Sequence, residues 1–132
     1  MQIEIYTDAS VANKQAVTSC LLLTADNYLG CSSEKYDNVA TSLQGELLAI
    51  RDSLKYLISI GKKAPVFINC DSYAALQLIQ DKDPKKFRKI LDEIHHLERG
   101  FDITYKLIQG HQVEHNPNKV VDLICNTLLR SN

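Results

Sequence analysis

The chain contains no tryptophan, no Cys-x-x-Cys pair and no surplus of basic residues. It has no apolar run long enough to span a bilayer, and its start, MQIEIYTDAS, carries neither the basic segment nor the long apolar stretch of a secretory signal. Each absence closes a class. Without a span or a signal the expected location is the compartment of synthesis, the cytoplasm, with no membrane partner. Four widely spaced cysteines, Cys20, Cys31, Cys70 and Cys125, read as small buried hydrophobes in a reducing environment, which excludes a zinc ribbon and a disulfide framework. Neither G-x-G-x-x-G nor a P-loop appears, so a doubly wound nucleotide-binding protein is a poor candidate. The formal net charge of −1 lacks the basic excess common in proteins that live on nucleic acid.

What is present suits one globular domain, 1–132, because 132 residues with 45% hydrophobic and 23% charged side chains can enclose a sizeable core. No repeat, low-complexity tract or linker divides it. The stretch 3–10, IEIYTDAS, predicts a strand that closes at Asp8 on a small polar turn. Strands over 15–24 and 27–36 follow, joined by a turn at Ala25, Asp26 and Asn27 short enough to force an antiparallel meander. From 41 to 60 the period becomes helical through Leu43, Leu47, Ile50, Leu54, Leu57 and Ile58, and Gly61 is the stop. A strand over 66–70 then implies a crossover that sets the first and fourth strands parallel and adjacent. Helices over 72–80 and 85–99, a strand over 101–108 and a last helix capped by Asn116 and Pro117 complete the order βββαβααβα. The basic cluster Lys82, Lys85, Lys86, Arg88 and Lys89 could follow a phosphate backbone, or could simply be a solvated helix start.

Four carboxylates carry the chemistry. Asp8 and Asp71 each close a short apolar strand, and in an open α/β sheet the carboxyl ends of parallel strands are where sites form. Each also reads as a turn former or helix N-cap. Glu46 shares the apolar stripe of its helix with Leu43, Leu47 and Ile50, where an unpaired carboxylate is costly unless its head reaches outward to water. Asp122 lies at the apolar edge of the last helix, and also suits a first-turn acid that complements the helix dipole. Brought to one point, the four would repel one another unless cations sat between them, and oxygen ligands favour Mg²⁺ or Mn²⁺ over zinc.

YTDAS around Asp8, GELLAI around Glu46, NCDS around Asp71 and GHQVEHNPNKVVDLICN running to Asp122 occur in an order that resembles type 1 ribonuclease H over almost the whole chain. The resemblance implies a ribonuclease H-like fold: a five-stranded mixed sheet, three strands in an antiparallel meander and two parallel, flanked by helices. It implies an endoribonuclease that hydrolyses the RNA strand of RNA/DNA hybrids with two metal ions, Mg²⁺ or Mn²⁺, leaving 5′-phosphate and 3′-hydroxyl ends. Asp8 and Asp71 would bind or bridge both ions, and Glu46 and Asp122 would hold one each. His111 matches the family histidine that assists proton transfer or product release, with His115 as a rival in the same loop. Asn118 matches an asparagine near the scissile phosphate. Asn13, Gln44, Ser72, Lys85, Lys86 and Lys89 are the further candidate substrate contacts.

The chain also departs from the family pattern. The segment ASVANKQAVTSC after Asp8 has no glycine, where family members bring backbone close to the RNA strand. TSLQGE lacks the asparagine that often precedes the catalytic Glu, leaving Gln44 as its substitute, and only DKDP stands where some members insert a basic handle. RNA-strand selectivity therefore rests on less than metal binding does, and with no tryptophan and no separate hybrid-binding domain the expected affinity is modest and salt-sensitive. Two other functions fit the same sequence: a binding module of this fold that has lost hybrid-specific activity, and a metal-dependent nuclease acting on another nucleic acid.

Overall fold

Ile3, Ile5 and Thr7 are wholly buried and alternate with half-buried Glu4 and Tyr6, the two-residue period of a strand covered on one face. The computed structural model describes residues 1–108. In it this first strand, β1 (Ile3–Ala12), pairs antiparallel with β2 (Gln15–Leu23), which pairs antiparallel with β3 (Tyr28–Asp37). Helix α1 (Ser42–Ile60) crosses to β4 (Val66–Cys70), parallel to β1; α2 (Tyr73–Gln80) and α3 (Arg88–Glu98) lead to β5 (Ile103–Leu107), parallel to β4. The sheet order is β3-β2-β1-β4-β5, the expected meander plus two parallel strands. Among the described residues no helix is long and apolar enough to cross a membrane.

Local chemistry sets the helix ends. The Thr41 side chain accepts the N–H of Gln44 at 3.1 Å to open α1, and Gly61, at φ 72°, closes it where a left-handed residue is needed. Leu47, Ile50, Leu54 and Leu57 of α1 meet Ile3, Ile5, Leu22 and Ile68 of the sheet and Leu91 and Ile94 of α3 in one core. Each such side chain contributes about 1.5–3 kcal/mol by leaving water. Ile58 corrects the predicted stripe: it is exposed, because it falls on the outer side of the last turn.

Two element boundaries and the burial of one cysteine differ from expectation. β1 does not end at Asp8 but runs on to Ala12, and Asn13 and Lys14, at φ 54° and 61°, form a two-residue turn with both centres left-handed. That is the hairpin geometry whose twist matches the strands, and asparagine tolerates it without glycine. Helix α3 starts at Arg88, not at residue 85, because Phe87 itself is left-handed (φ 58°) and interrupts the helical run. Cys31 is exposed on the edge strand β3, unlike buried Cys20 and Cys70; Cys125 and the last helix lie outside the described residues.

Candidate functional site

The pairing of β1 with β4 stops at Tyr6 and Asn69, whereas β1 continues beside β2 to Ala12. Asp8 and Ala9 thus stand where the two parallel strands part, and Asp71 follows the last residue of β4. Over this split lies the second turn of α1. The N–H of Ala9 donates to Asp8 Oδ1 at 2.9 Å and to Glu46 Oε1 at 3.2 Å. Two strand segments and one helix thereby bring Asp8, Glu46 and Asp71 near one another.

Burial makes the cluster electrostatically tense. Asp8 is 4% exposed and Glu46 8%, while Asp71 is open to solvent. Desolvation, then the charges of Asp8 and Asp71, push the Glu46 carboxyl up to about 9; a hydrogen bond with Asp8 adds to the rise and the Ala9 N–H opposes it. A cation would relieve this repulsion, and the carboxylate oxygens of Glu46 and Asp71 suit a hard divalent ion; their ligand atoms and the Cys70 sulfur lie within 4.8 Å of one another, the thiol being too soft a donor to favour such an ion.

Cys70 is the member that sequence reasoning missed. Its run, VFINC, reads as a buried strand and its thiol as core, yet Cys70 Sγ donates to Glu46 Oε2 at 3.9 Å and accepts the Ser72 N–H at 3.4 Å. Burial, then the Glu46 charge, push this thiol up to about 12, so it stays a neutral donor near neutral pH. Its position directly before Asp71 was the available signal.

The candidate substrate contacts fall in varied settings. Gln44 lies in the first turn of α1, and its Oε1 accepts the Ala40 N–H at 3.4 Å, a capping role. Ser72 is the N-cap of α2 and accepts the Ala75 N–H at 3.2 Å. Asn13 is exposed at the tip of the β1–β2 turn. Lys85 pairs with Asp83 at 2.9 Å and Arg88 pairs with the same carboxylate, so part of the basic cluster is neutralised within its own loop. Lys86 borders a cleft of about 800 Å³ with Leu43, Tyr73, Tyr105 and Leu107, and Lys89 is exposed. Asp122, His111, His115 and Asn118 lie outside the described residues.

Residues 7–127 match the sequence profile of a family described as reverse transcriptase-like. No curated protein sequence gives a significant match. Among solved structures, LC11-RNase H1, isolated from compost by a metagenomic approach, shares 20% identity at a TM-score of 0.82, over 98% of this chain and 96% of that one. RNase H1 of the halophilic archaeon Halobacterium salinarum NRC-1 shares 18% identity at 0.79, each chain covered in full. LC11-RNase H1 in complex with an RNA/DNA hybrid aligns at 0.78 and 20% identity, over 95% of this chain and 94% of that one. The split between β1 and β4, with an acid on each side and a third above it, therefore sits in a ribonuclease H fold, and the chain belongs to the reverse transcriptase-like family.

Proposed function

We propose that the chain, as one ribonuclease H-like domain, is a metal-dependent endoribonuclease that hydrolyses the RNA strand of RNA/DNA hybrids and leaves 5′-phosphate and 3′-hydroxyl ends. The observation that carries this reading is the convergence of Asp8 and Glu46 on the Ala9 N–H, with Asp71 beside them. A binding module has no use for buried carboxylates that repel one another. Asp8, Glu46 and Asp71, joined by Asp122 from the remainder of the chain, would hold two divalent ions, Mg²⁺ or Mn²⁺. When bound, such ions supply positive charge where a phosphodiester builds negative charge. Protein residues would supply the rest: Asp8 and Glu46, both held by the Ala9 N–H, would take part in holding the ions, and His111 would move a proton near the leaving group. Recognition would rest on duplex shape, phosphates and 2′-hydroxyls, and one solved neighbour, LC11-RNase H1, is described in complex with an RNA/DNA hybrid.

A second reading, a nuclease of this fold acting on another nucleic acid, is favoured by two observations. The Asn13 and Lys14 turn is a tight hairpin, and Gln44 is engaged in a helix cap. The two readings separate when end-labelled RNA/DNA hybrid, double-stranded RNA, single-stranded RNA and double-stranded DNA are incubated with Mg²⁺, Mn²⁺ or EDTA, beside Asp71→Asn. Hybrid cleavage that is lost in EDTA and in the variant supports the first. Cleavage of another substrate with the hybrid intact supports the second, and no cleavage with either ion counts against both.

A further inference from the structure

Gly45 precedes Glu46 inside α1, where glycine is the least favourable helix residue after proline. Its backbone is ordinary helix: the glycines at positive φ are Gly30, Gly61 and Gly100 among the described residues. Conformational freedom therefore does not account for it. Space does. A Cβ added at Gly45 would stand 2.8 Å from Val11 Cγ2 and 3.3 Å from Ala9 Cβ. The first distance is well inside the optimal carbon–carbon separation of about 3.5–4.0 Å. Buried Ala49 and Ser53 continue this side of the helix with small side chains at four-residue intervals.

Ala9 takes part in both contacts. Its Cβ faces the space left by Gly45 while its N–H donates to Glu46 Oε1. We propose that Gly45 is a positioning residue for Glu46: its missing side chain lets the second turn of α1 lie directly on β1, so that the next carboxylate reaches the Ala9 N–H and joins Asp8 and Asp71. Its consequence for metal binding rests on the proposed function; the geometric part does not. Val11 is the complementary partner. It packs in a small apolar cluster with Ala16, Val39 and Leu48, and its Cγ2 is the atom a larger residue would strike.

The test compares wild type, Gly45→Ala, Val11→Ala and the double variant. It uses metal-free crystal structures, calorimetric titration with Mn²⁺ and thermal melting. Gly45→Ala is expected to move Glu46 Oε1 beyond hydrogen-bond range of the Ala9 N–H, about 3.5 Å. It is also expected to weaken Mn²⁺ binding by about 10- to 100-fold, the usual effect of disturbing a ligand's supporting shell. Val11→Ala binds Mn²⁺ as wild type does. The double variant recovers most of the distance and of the affinity, the remainder being the contact with Ala9 Cβ. A merely structural glycine would instead give melting temperatures that track the substitutions while distance and affinity stay put. The proposal is overturned if Gly45→Ala keeps both, or if the double variant regains its melting temperature but not the distance. Should Gly45→Ala fail to fold, the double variant carries the test and must fold with Glu46 in place. Failure of wild type to bind Mn²⁺ would sink the metal reading, while the crystallographic distance still decides the role of Gly45.

Discussion

Asp8 Oδ1 and Glu46 Oε1 converge on a single donor, the N–H of Ala9, at 2.9 and 3.2 Å. Glu46 also accepts the Cys70 thiol through Oε2, yet Asp8 and Asp71 place two further negative charges beside it. The same crowding that raises the Glu46 carboxyl would make the cluster a cation site, and it has consequences for stability that need no substrate to observe.

The Glu46 carboxyl rises from an ordinary 4.5 to about 9 on folding, so between those pH values the folded chain holds a proton that the unfolded chain has released. Its stabilising contribution is therefore complete below pH 4.5 and is lost as pH rises toward 9, with a slope of up to about 1.4 kcal/mol per pH unit. In EDTA, Glu46→Gln should match wild type near pH 5 and exceed it in stability at pH 8. Urea denaturation at both pH values checks this. Equal stability of the two proteins at pH 8 would show that Glu46 carries no such burden.

Divalent ions should reverse that penalty. Mn²⁺ or Mg²⁺ at a hundredfold excess over its dissociation constant should stabilise wild type by about 2.7 kcal/mol. The rise in melting temperature should be larger at pH 8 than at pH 5.5, since ligand carboxylates must be ionised. Asp71→Asn should remove most of it. An equal rise in that variant would place the bound ion elsewhere.

Lys14 occupies a left-handed position at φ 61° in the β1–β2 turn, a conformation that costs a non-glycine residue roughly 1–2 kcal/mol. Its carbonyl accepts the Val39 N–H at 3.0 Å, a bond that glycine would keep. Lys14→Gly should therefore stabilise the protein by about 0.5–1 kcal/mol after the greater entropy loss of glycine is counted. Unchanged or lowered stability in chemical denaturation would refute the strain argument.

Asp52 anchors a second polar cluster, remote in sequence from the three acids. Its Oδ2 accepts from Thr18 Oγ1 at 2.8 Å and Tyr36 OH at 2.7 Å, and Arg51 bridges it to Glu93. Burial, then the hydrogen bond to Asp52, push the Tyr36 hydroxyl up to about 12. Asp52→Ala should cost about 2–4 kcal/mol, because it strands a buried Thr18 hydroxyl and leaves the largely buried Arg51 charge with Glu93 as its one paired carboxylate among the described residues. Mn²⁺ affinity should be unchanged, and the cost should shrink in Thr18→Val/Asp52→Ala. A loss of Mn²⁺ binding would mean the two clusters are coupled.

Much of this arrangement was legible in the residue pattern, for physical reasons. Alternation in IEIYT and the helical spacing of Leu47, Ile50, Leu54 and Leu57 report directly on which faces are buried, and Glu46 could be placed inward because it shares that stripe. Boundaries set by backbone conformation were not legible. Lys85 and Lys86 look like the start of a helix, but the left-handed Phe87 is invisible in composition, as is the turn at Asn13 and Lys14 that carries β1 past Asp8. Cys70 was assigned to the core by its apolar run, because periodicity describes burial and is blind to what a buried thiol faces across a strand end. Gly45 before Glu46 was in plain view, but its meaning depends on the distance to Val11.

The most direct test of the central claim is the product map of a hybrid whose RNA and DNA strands carry different end labels, cut by wild type in Mg²⁺. The account predicts internal cuts confined to the RNA strand, each leaving a 5′-phosphate and a 3′-hydroxyl, and none in EDTA. An intact RNA strand, or cuts that persist in EDTA or in Asp71→Asn, would contradict it.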